Sequence, residues 1–409
     1  MWLYNLGISL YAGGIRLAAL WHGKARLWSE GRRNIFERME AAVRPSDRIV
    51  WVHAASLGEF EQARPIIERL RAEHPEYKIL LTFFSPSGYE IRKNYEGADY
   101  VFYLPADTPS NARRFLDIVH PEIAIFIKYE FWINLLSELR RRKVRSYIVS
   151  AIFRRNSVFF RPYGAMWRQA LETFDTLFVQ NVESKRLLSE IGFDNVVVAG
   201  DTRFDRVAQI AAAAQRVETI ERFRGGGRLF VAGSTWGPDE EILLPLVNAN
   251  PDVKFVIAPH EMDEGRIAHL MRDAKGGAVR YTQCDAATRF DDVQVLVLDT
   301  MGMLSSVYGS ATWAYVGGGF GVGIHNTLEA ATFVLPIAFG PNYGKFKEAR
   351  DMVSLGCAVS VRTAGELAAW FAPLRDDEET LRRASRTAKD YTARNQGATG
   401  IILRSIFNS

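Results

Sequence analysis

Cysteine is nearly absent. Two residues, Cys284 and Cys357, in a chain of 409 exclude a disulfide scaffold and a multi-cysteine zinc or iron–sulfur site. They fit a reducing compartment. The seven histidines are scattered, with no H-x-x-x-H pair and no Cys–His cluster, so no metal site is expected. No G-x-S-x-G elbow is present to support a Ser-His-Asp hydrolase. The glycines never fall at the G-x-G-x-x-G spacing, which excludes a Rossmann fingerprint. The run Gly340 to Lys345 is one residue short of a P-loop and leads into Phe346. Charge of one sign is missing too: 51 Lys and Arg stand against 47 Asp and Glu, for a net +4. That is too small by itself to argue for nucleic acid. Low-complexity segments and short repeats are lacking. What is present is 48% hydrophobic and 24% charged residues, ordinary for a globular chain and too apolar for extended disorder. The length suggests two domains, possibly three.

One apolar run stands out, and no second of comparable length follows it. Met1 to Trp21 carries a single charge, Arg16, and is about long enough to span a bilayer as a helix. It has neither a basic n-region nor a small-residue cleavage site, so a secretory signal peptide is not expected. Lys24, Arg26, Arg32 and Arg33 come next, and by the positive-inside rule they keep the rest of the chain in the cytoplasm. Arg16 and the Gly13-Gly14 pair weigh against a span. A helix lying in the interface and a buried first helix are the competing forms. The expectation is membrane contact through residues 1–30.

The body alternates strands and helices. RIVWVH (48–53), KILLTFF (78–84), DYVFYL, EIAIFI, SYIVSA, DTLFVQ and NVVVAG are apolar throughout, as in strands covered on both faces. Helical spacing over Glu59–Glu73 and after Pro86 lies between them. An Ala-rich helical segment, Val207–Glu221, and then Gly225-Gly226-Gly227 interrupt the pattern. It restarts with RLFVAG, KFVIAP, GAVRYT, VQVLVLD, WAYVGG, LPIAFG and CAVSV. The fold class is therefore α/β, with two doubly wound parallel-sheet domains. The expected division is 1–30 for the N-terminal helix, 31–208 for the first domain and 209–409 for the second. The last helical segment, Asp376–Phe407, has the amphipathic pattern to pack back on the first. Ligands in such sheets sit at the carboxyl ends of strands, and a cleft between two facing domains is the default site.

Chemistry is carried by four segments. In His53-Ala54-Ala55-Ser56-Leu57-Gly58-Glu59 a strand turns into a helix through small residues. Glu59 falls in the first helical turn, where a carboxylate can take a proton from an attacking hydroxyl. The helix dipole alone would lower its pKa and weaken it as a base, so desolvation by bound substrate is expected to push it back up. In Val316 to Glu329 a strand runs into five glycines within seven positions (317–323). A helix expected to begin near His325 then presents backbone N–H groups to an anion. Glu329, four residues past His325 on the same helix face, is placed to accept from a ribose diol. The loops Gly233-Ser234-Thr235, Pro259-His260 and Thr300-Met301-Gly302-Met303 each follow a strand and are expected to converge on one nucleotide-sized pocket. Ser234, Thr235, Gly319 and His325 are assigned to that pocket with the residues below. Fourth, Arg140 to Arg168 holds nine basic residues and no acidic one, with interleaved aromatics such as Phe153, Phe159, Tyr163 and Trp167. No nucleic-acid motif accompanies it. An anionic lipid surface fits better beside an apolar N-terminus, with a solvated helix face as the plain alternative for Arg140–Arg145.

HAASLGE (53–59), AGST (232–235), APH (258–260), DTMG (299–302) and HNTLEAA (325–331) occur in that order. Together with GRRN (31–34), they resemble the 3-deoxy-D-manno-octulosonic acid (Kdo) transferases of lipopolysaccharide synthesis over nearly the whole length. The resemblance implies a GT-B glycosyltransferase that needs no metal and no cofactor. It implies CMP-Kdo as donor, the lipid A precursor lipid IVA as acceptor, and inverting transfer with Glu59 as general base. Glu130, in Lys128-Tyr129-Glu130-Phe131-Trp132, matches a family carboxylate near the reacting centre. Arg203 stands where many members have a lysine, a cation to offset donor charge as CMP leaves. The family's CMP contacts fall on Pro259, His260, Met301, Gly302, Met303, Asn326, Thr327, Leu328 and Glu329. Departures are His260 for an arginine, Met303 for a glutamate, Lys128 for an acidic residue and Ile133 for a proline. The implied setting is the cytoplasmic face of the bacterial inner membrane, with anionic lipids as partners and no nucleic acid. Oligomeric state and the number of Kdo units stay open. The alternatives are another GT-B enzyme (a UDP-sugar transferase to a lipid acceptor or a nucleotide-sugar epimerase) and a non-catalytic membrane scaffold.

Overall fold

Strand runs that are apolar on both sides demand cover on both sides, and the chain supplies it twice. In the computed structural model, which describes residues 2–408, seven strands form the first sheet. They are β1 (Ile49–His53), β2 (Lys78–Phe83), β3 (Tyr100–Tyr103), β4 (Ile123–Ile127), β5 (Arg145–Ala151), β6 (Thr176–Val179) and β7 (Val196–Val198). Their order is β3-β2-β1-β4-β5-β6-β7, and neighbours pair in parallel, as in Val52 against Leu81 and Ile125. The second sheet holds β8 (Leu229–Thr235), β9 (Lys254–Pro259), β10 (Ala278–Arg280), β11 (Val295–Val297), β12 (Trp313–Val316), β13 (Ile337–Phe339) and β14 (Ala358–Ser360). Its order is β10-β11-β9-β8-β12-β13-β14, again with parallel pairs. Each apolar run picked out above supplies one of these strands. Winding reverses between β1 and β4 in the first sheet and between β8 and β12 in the second. At such a switch point the flanking crossovers leave on opposite faces, and a crevice opens at the strands' carboxyl ends.

Two compact units result. The first runs through Arg206 and takes up Gln396 onward; the second is Val207–Asn395. Clusters on both faces of the first sheet contain Trp51, Phe115 and Phe126 on one side and Val52, Phe60 and Phe178 on the other. Phe230, Phe255, Trp313 and Phe371 centre the second core. The Asp376–Phe407 segment is three pieces rather than one helix: the end of Ala364–Asp376, then Glu378–Asn395, then Ala398–Phe407. Gly397, at φ +103°, makes the turn before the last of these. Asp205 then caps the last helix, accepting from Gly397 N (2.6 Å) and Thr399 N (2.7 Å). Ile402, Leu403 and Ile406 of that helix enter the first unit's core. The Val207–Glu221 segment is likewise broken, into Arg203–Ala213 and Glu218–Arg224.

The N-terminal segment also departs from a single helix over 1–30. It forms α1 (Trp2–Ala18) and α2 (Gly23–Glu30), separated at an extended His22. Among the described residues no helix is long and apolar enough to cross a membrane; at 1.5 Å per residue α1 reaches only about 26 Å. One face of α1 is fastened to the first unit. Tyr4 Oη donates to Asp107 Oδ2 (2.7 Å) and Asn134 Nδ2 donates to Asn5 Oδ1 (2.9 Å). Leu3, Leu6, Leu10 and Leu17 stay exposed and share the other face at 3.6 residues per turn.

Candidate functional site

At the first switch point β1 ends at His53 and β4 at Ile127, and each strand delivers one carboxylate. After β1 the chain turns through Ala54 to Ser56 into the helix Leu57–Glu73, which places Glu59 in the first turn. Its Oε2 accepts from Ala55 N at 2.6 Å. After β4 the chain passes Lys128 in the left-handed region (φ +62°), a strained conformation for a side-chain-bearing residue, and reaches Glu130. Trp132 Nε1 donates to Glu130 Oε2 (2.8 Å) and also approaches His53 Nε2 (3.1 Å). His53 Nε2 lies 3.2 Å from the same carboxylate oxygen. The other nitrogen, Nδ1, lies 2.9 Å from the Thr82 hydroxyl and 3.1 Å from the Thr82 carbonyl oxygen.

Burial, with the Glu130 charge second, pushes the Glu59 carboxyl up to about 7; the Ala55 N–H and Lys128 pull the other way. This corrects the expectation that the helix dipole keeps Glu59 acidic until substrate arrives. The free protein already holds it near neutrality, the range suited to a general base. Lys128, one of the departures, is thus a cation acting on the base. Arg203 is less available than the sequence suggests. Its Nε donates to Asp201 Oδ2 at 2.9 Å. Burial alone would raise the Asp201 carboxyl, but Arg203 and Gln62 hold it below the usual range. Much of the Arg203 charge is therefore spent inside the protein rather than on a ligand.

Four of the nine residues of the basic run are ion-paired. Arg141 and Arg142 reach Glu138, Arg142 also reaches Asp117, Arg140 reaches Glu172, and Arg155 reaches Glu190. Its acidic partners lie outside the stretch 140–168, where a search for local carboxylates misses them. Lys143, Arg145, Arg154, Arg161 and Arg168 form no ion pair among the described residues; Arg145 donates instead to the Ile406 carbonyl and Arg168 to those of Phe159 and Arg161.

At the second switch point β8 ends at Thr235 and β12 at Val316. Gly318 N donates to Asp239 Oδ2 (2.9 Å), and Tyr315 Oη donates to Asp239 Oδ1 (2.7 Å). A Cβ on Gly319 would lie 2.5 Å from Gly340 Cα, so only glycine lets these two backbones touch. The loop bounds an open cavity of about 450 Å³ with Trp236, His260 and His325. His260 and His325 stack with ring centroids 4.3 Å apart. Trp236 packs on His260 and donates from Nε1 to His325 Nε2 (3.2 Å). Burial, with His260 second, pulls the His325 pKa down against Asp239. Arg266, the arginine bonded to Thr235 O, does not replace the cation missing at His260, because it is committed to Glu240 at 2.6 Å.

The predicted donor residues fall into two groups. His260 and His325 border the cavity with Gly318, Gly321 and Gly323, while Gly319 itself does not line it. Pro259 ends β9 directly before His260. Gly302 turns at φ +84° and Met303 caps the helix Leu304–Tyr308. Met301 is largely exposed. This loop meets Asn326–Glu329 through Ser305, whose hydroxyl donates to Glu329 Oε2 at 2.9 Å. Asn326 Nδ2 holds the other Glu329 oxygen at 3.0 Å. The helix here is Thr327–Thr332, not one starting at His325; His325 precedes it, so Glu329 faces Ser305 and Asn326 rather than the imidazole. Thr327 and Leu328 are buried at its start, and Ser234 takes a left-handed turn at φ +54°. Thr235 is fully buried and its hydroxyl donates to Glu240 (2.9 Å), a supporting rather than a contact position. Sequence reasoning gave no role to His53, Trp132, Trp236, Asp239 or Ser305. The legible signal was adjacency: Trp236 follows Thr235, and Trp132 lies two residues past Glu130. Among the described residues no group of three or more His, Cys, Asp or Glu is placed to hold a metal ion.

Comparison with known proteins agrees with the motif pattern. Residues 32–206 match the family described as 3-Deoxy-D-manno-octulosonic-acid transferase (kdotransferase). The chain is 28% identical over 373 residues to the 3-deoxy-D-manno-octulosonic acid transferase of Bordetella pertussis, covering 87% of this chain and 86% of that one. It is 25% identical over 378 residues to that of Haemophilus influenzae, covering 88% and 86%. A solved UDP-GlcNAc 2-epimerase from Neisseria meningitidis shares the fold at a TM-score of 0.62 and 16% identity, over 88% of this chain and 100% of that one. Residues 32–206 thus carry a 3-deoxy-D-manno-octulosonic-acid (Kdo) transferase domain match, and the chain as a whole is similar to Kdo transferases over most of its length.

Proposed function

We propose that the protein transfers Kdo from CMP-Kdo to lipid IVA, without a metal and with inversion at the anomeric carbon. The observation that carries this reading is Glu59, a carboxyl buried at a switch point and pushed up to about 7. As an acceptor hydroxyl attacks the anomeric carbon, its oxygen bonds that carbon and its proton passes to Glu59. The bond from carbon to the CMP phosphate breaks, and CMP carries away the electron pair. Burial raises the basicity of Glu59, and Glu130, fixed by Trp132 and His53, supplies a second negative charge beside it. The second unit is assigned the nucleotide. Glycine backbone gives close approach for phosphate, the His260–His325 pair borders it, and Glu329, already oriented by Ser305 and Asn326, accepts from a ribose diol.

We place the enzyme on the cytoplasmic face of the bacterial inner membrane. Support comes from the exposed leucines of α1 with Trp2 and Trp21, which suit an interfacial helix. A surface-bound enzyme meets a lipid acceptor at raised effective concentration. The test of function is incubation with CMP-Kdo, generated in place, and lipid IVA, read by mass spectrometry. A mass gain of one Kdo or more is expected; no gain beside an active control enzyme would overturn it. Placement is tested by flotation with anionic vesicles, where Leu6→Ser/Leu10→Ser should reduce binding. Unchanged flotation would remove α1 from the interface.

A further inference from the structure

One cavity of the first unit lies away from the carboxylates. It is an open cavity of about 770 Å³ beside α1 and α2, bordered by Arg16, Arg26, Arg32, Arg33, Trp28 and Ser29. Four arginines and two glutamates, Glu30 and Glu37, border it; Glu37 pairs with Arg114, and none of the four arginines forms an ion pair among the described residues. Arg32 is the most constrained. Its guanidinium lies over the Trp28 ring (3.9 Å) and near Tyr103 (4.6 Å). It donates to the carbonyls of Leu104 (2.8 Å), Phe84 (2.8 Å) and Trp28 (3.1 Å). A cation held this way without a carboxylate is costly unless an anion completes it. Burial pulls the Arg32 pKa down to about 9, the direction expected of an uncompensated charge. Two further groups bordering the cavity lack partners. Trp28, 5% exposed, has an indole N–H with no acceptor, and the Ser29 hydroxyl is also unpartnered.

Trp28 and Ala106 also border a second, apolar cavity of about 260 Å³, lined by Ile8, Tyr11, Phe84 and Trp132. The two cavities therefore share part of one wall. Aromatic contacts run along the wall: Tyr11 on Phe84 (6.2 Å), then Phe84 on Trp132 (4.6 Å). Trp132 is the residue that donates to Glu130. The face of α1 turned to this groove, with Ile8 and Tyr11, is not the face that exposes Leu3, Leu6, Leu10 and Leu17. One helix thus offers two apolar surfaces, and only one of them leads toward the carboxylates.

We infer that this pair of cavities is a binding site for a single phosphorylated amphiphile, its phosphate held by Arg16, Arg26, Arg32 and Arg33 and its acyl chain laid along Ile8, Tyr11, Phe84 and Trp132. Charge complementarity commits the occupant: one end is cationic with orphan donors, the other is apolar. This rests on the proposed transfer to a lipid acceptor and assigns the acceptor its place; α1 is then a wall of the substrate site as well as a surface helix.

The probe is dodecyl phosphate below its critical micelle concentration, titrated calorimetrically into the full chain. Wild type should saturate at one site. Arg16→Glu/Arg26→Glu, both exposed and outside the core, should weaken binding at least tenfold, as should Ile8→Trp, which fills the groove. Dodecyl maltoside, with the same chain and no phosphate, should bind more weakly to wild type and be indifferent to the arginine changes. Equal affinity in all variants, or adsorption that never saturates, would overturn the site. So would variants that lose vesicle flotation yet keep the wild-type KM for lipid IVA, since α1 would then be a membrane contact only. The two readings fail separately. Kdo product with an unchanged acceptor KM in both variants removes the site and leaves the activity. The expected binding pattern without any Kdo product removes the activity and leaves the site.

Discussion

The two units place their candidate sites at the same topological position and equip them in opposite ways. In the first, the loops after β1 and β4 bring buried charge together: Glu59, Glu130 and Lys128, with His53 and Trp132 fixing Glu130. In the second, the loops after β8 and β12 bring backbone together, where Gly319 touches Gly340 and imidazoles replace a permanent cation. A group that must move a proton needs an adjusted pKa, which burial and a like charge provide. A group that must cradle a nucleotide needs exposed N–H groups and little bulk. The first site should therefore be sensitive to charge at constant shape, and the second to shape at constant charge.

The sharpest break of that comparison is Glu59→Gln. It keeps shape and removes the base, so the transfer rate should fall roughly 10²–10⁴-fold, while CMP binding to the second unit and thermal stability stay at wild-type values. A rate within threefold of wild type would remove Glu59 from the chemistry. Next, Gly319→Ala adds one methyl and no charge. With Gly340 backbone 2.5 Å from the new Cβ, overpacking should cost about 1–3 kcal/mol, read by chemical denaturation, and CMP affinity should fall with it. Stability equal to wild type would show that the loop yields.

The third prediction concerns pH. Glu59 works as a base only when deprotonated. With its carboxyl near 7, kcat should rise as pH rises through about 7 and level off above. Glu130→Gln removes the like charge, lowers the Glu59 pKa and moves the rising limb to lower pH. An unmoved limb would sever the two carboxylates. The smallest effect is expected at Trp236→Phe, which keeps the ring on His260 and loses the N–H to His325. One neutral hydrogen bond is worth about 1 kcal/mol, so CMP affinity should weaken roughly fivefold, as measured by calorimetry.

Much of the fold could be read in advance because its signal is local. Ile49–Val52 or Ile123–Ile127 is apolar at every position, and only a strand covered on both faces uses such a run. The helix after His53 was equally plain, since small residues and Glu59 mark a strand-to-helix turn. Boundaries set by single residues were less legible. Gly397 breaks what its neighbours' periodicity continues, and residues 214–217 interrupt an Ala-rich stretch of good helix formers. The basic segment misled for a related reason. Its counter-charges, Glu138, Asp117, Glu172 and Glu190, come from outside the stretch, so its net charge overstated what it offers a partner. Arg32 went further, from a charge expected at a membrane boundary to a guanidinium stacked on Trp28 and bonded to three carbonyls.

Sequence by itself determined which residue types stand at the strand ends, and through their order the resemblance to Kdo transferases. It determined that Glu59 opens a helix and that glycines follow β12, because these are properties of neighbours along the chain. Tertiary structure decided the rest. Glu130, 71 positions beyond Glu59, becomes its electrostatic neighbour only because β4 pairs with β1. His260 stacks on His325 only because β8 brings the loops after β9 and β12 to either side of Trp236. Apolar pattern dictates which segments become strands, but the working pKa of a carboxyl depends on what the folded chain buries beside it.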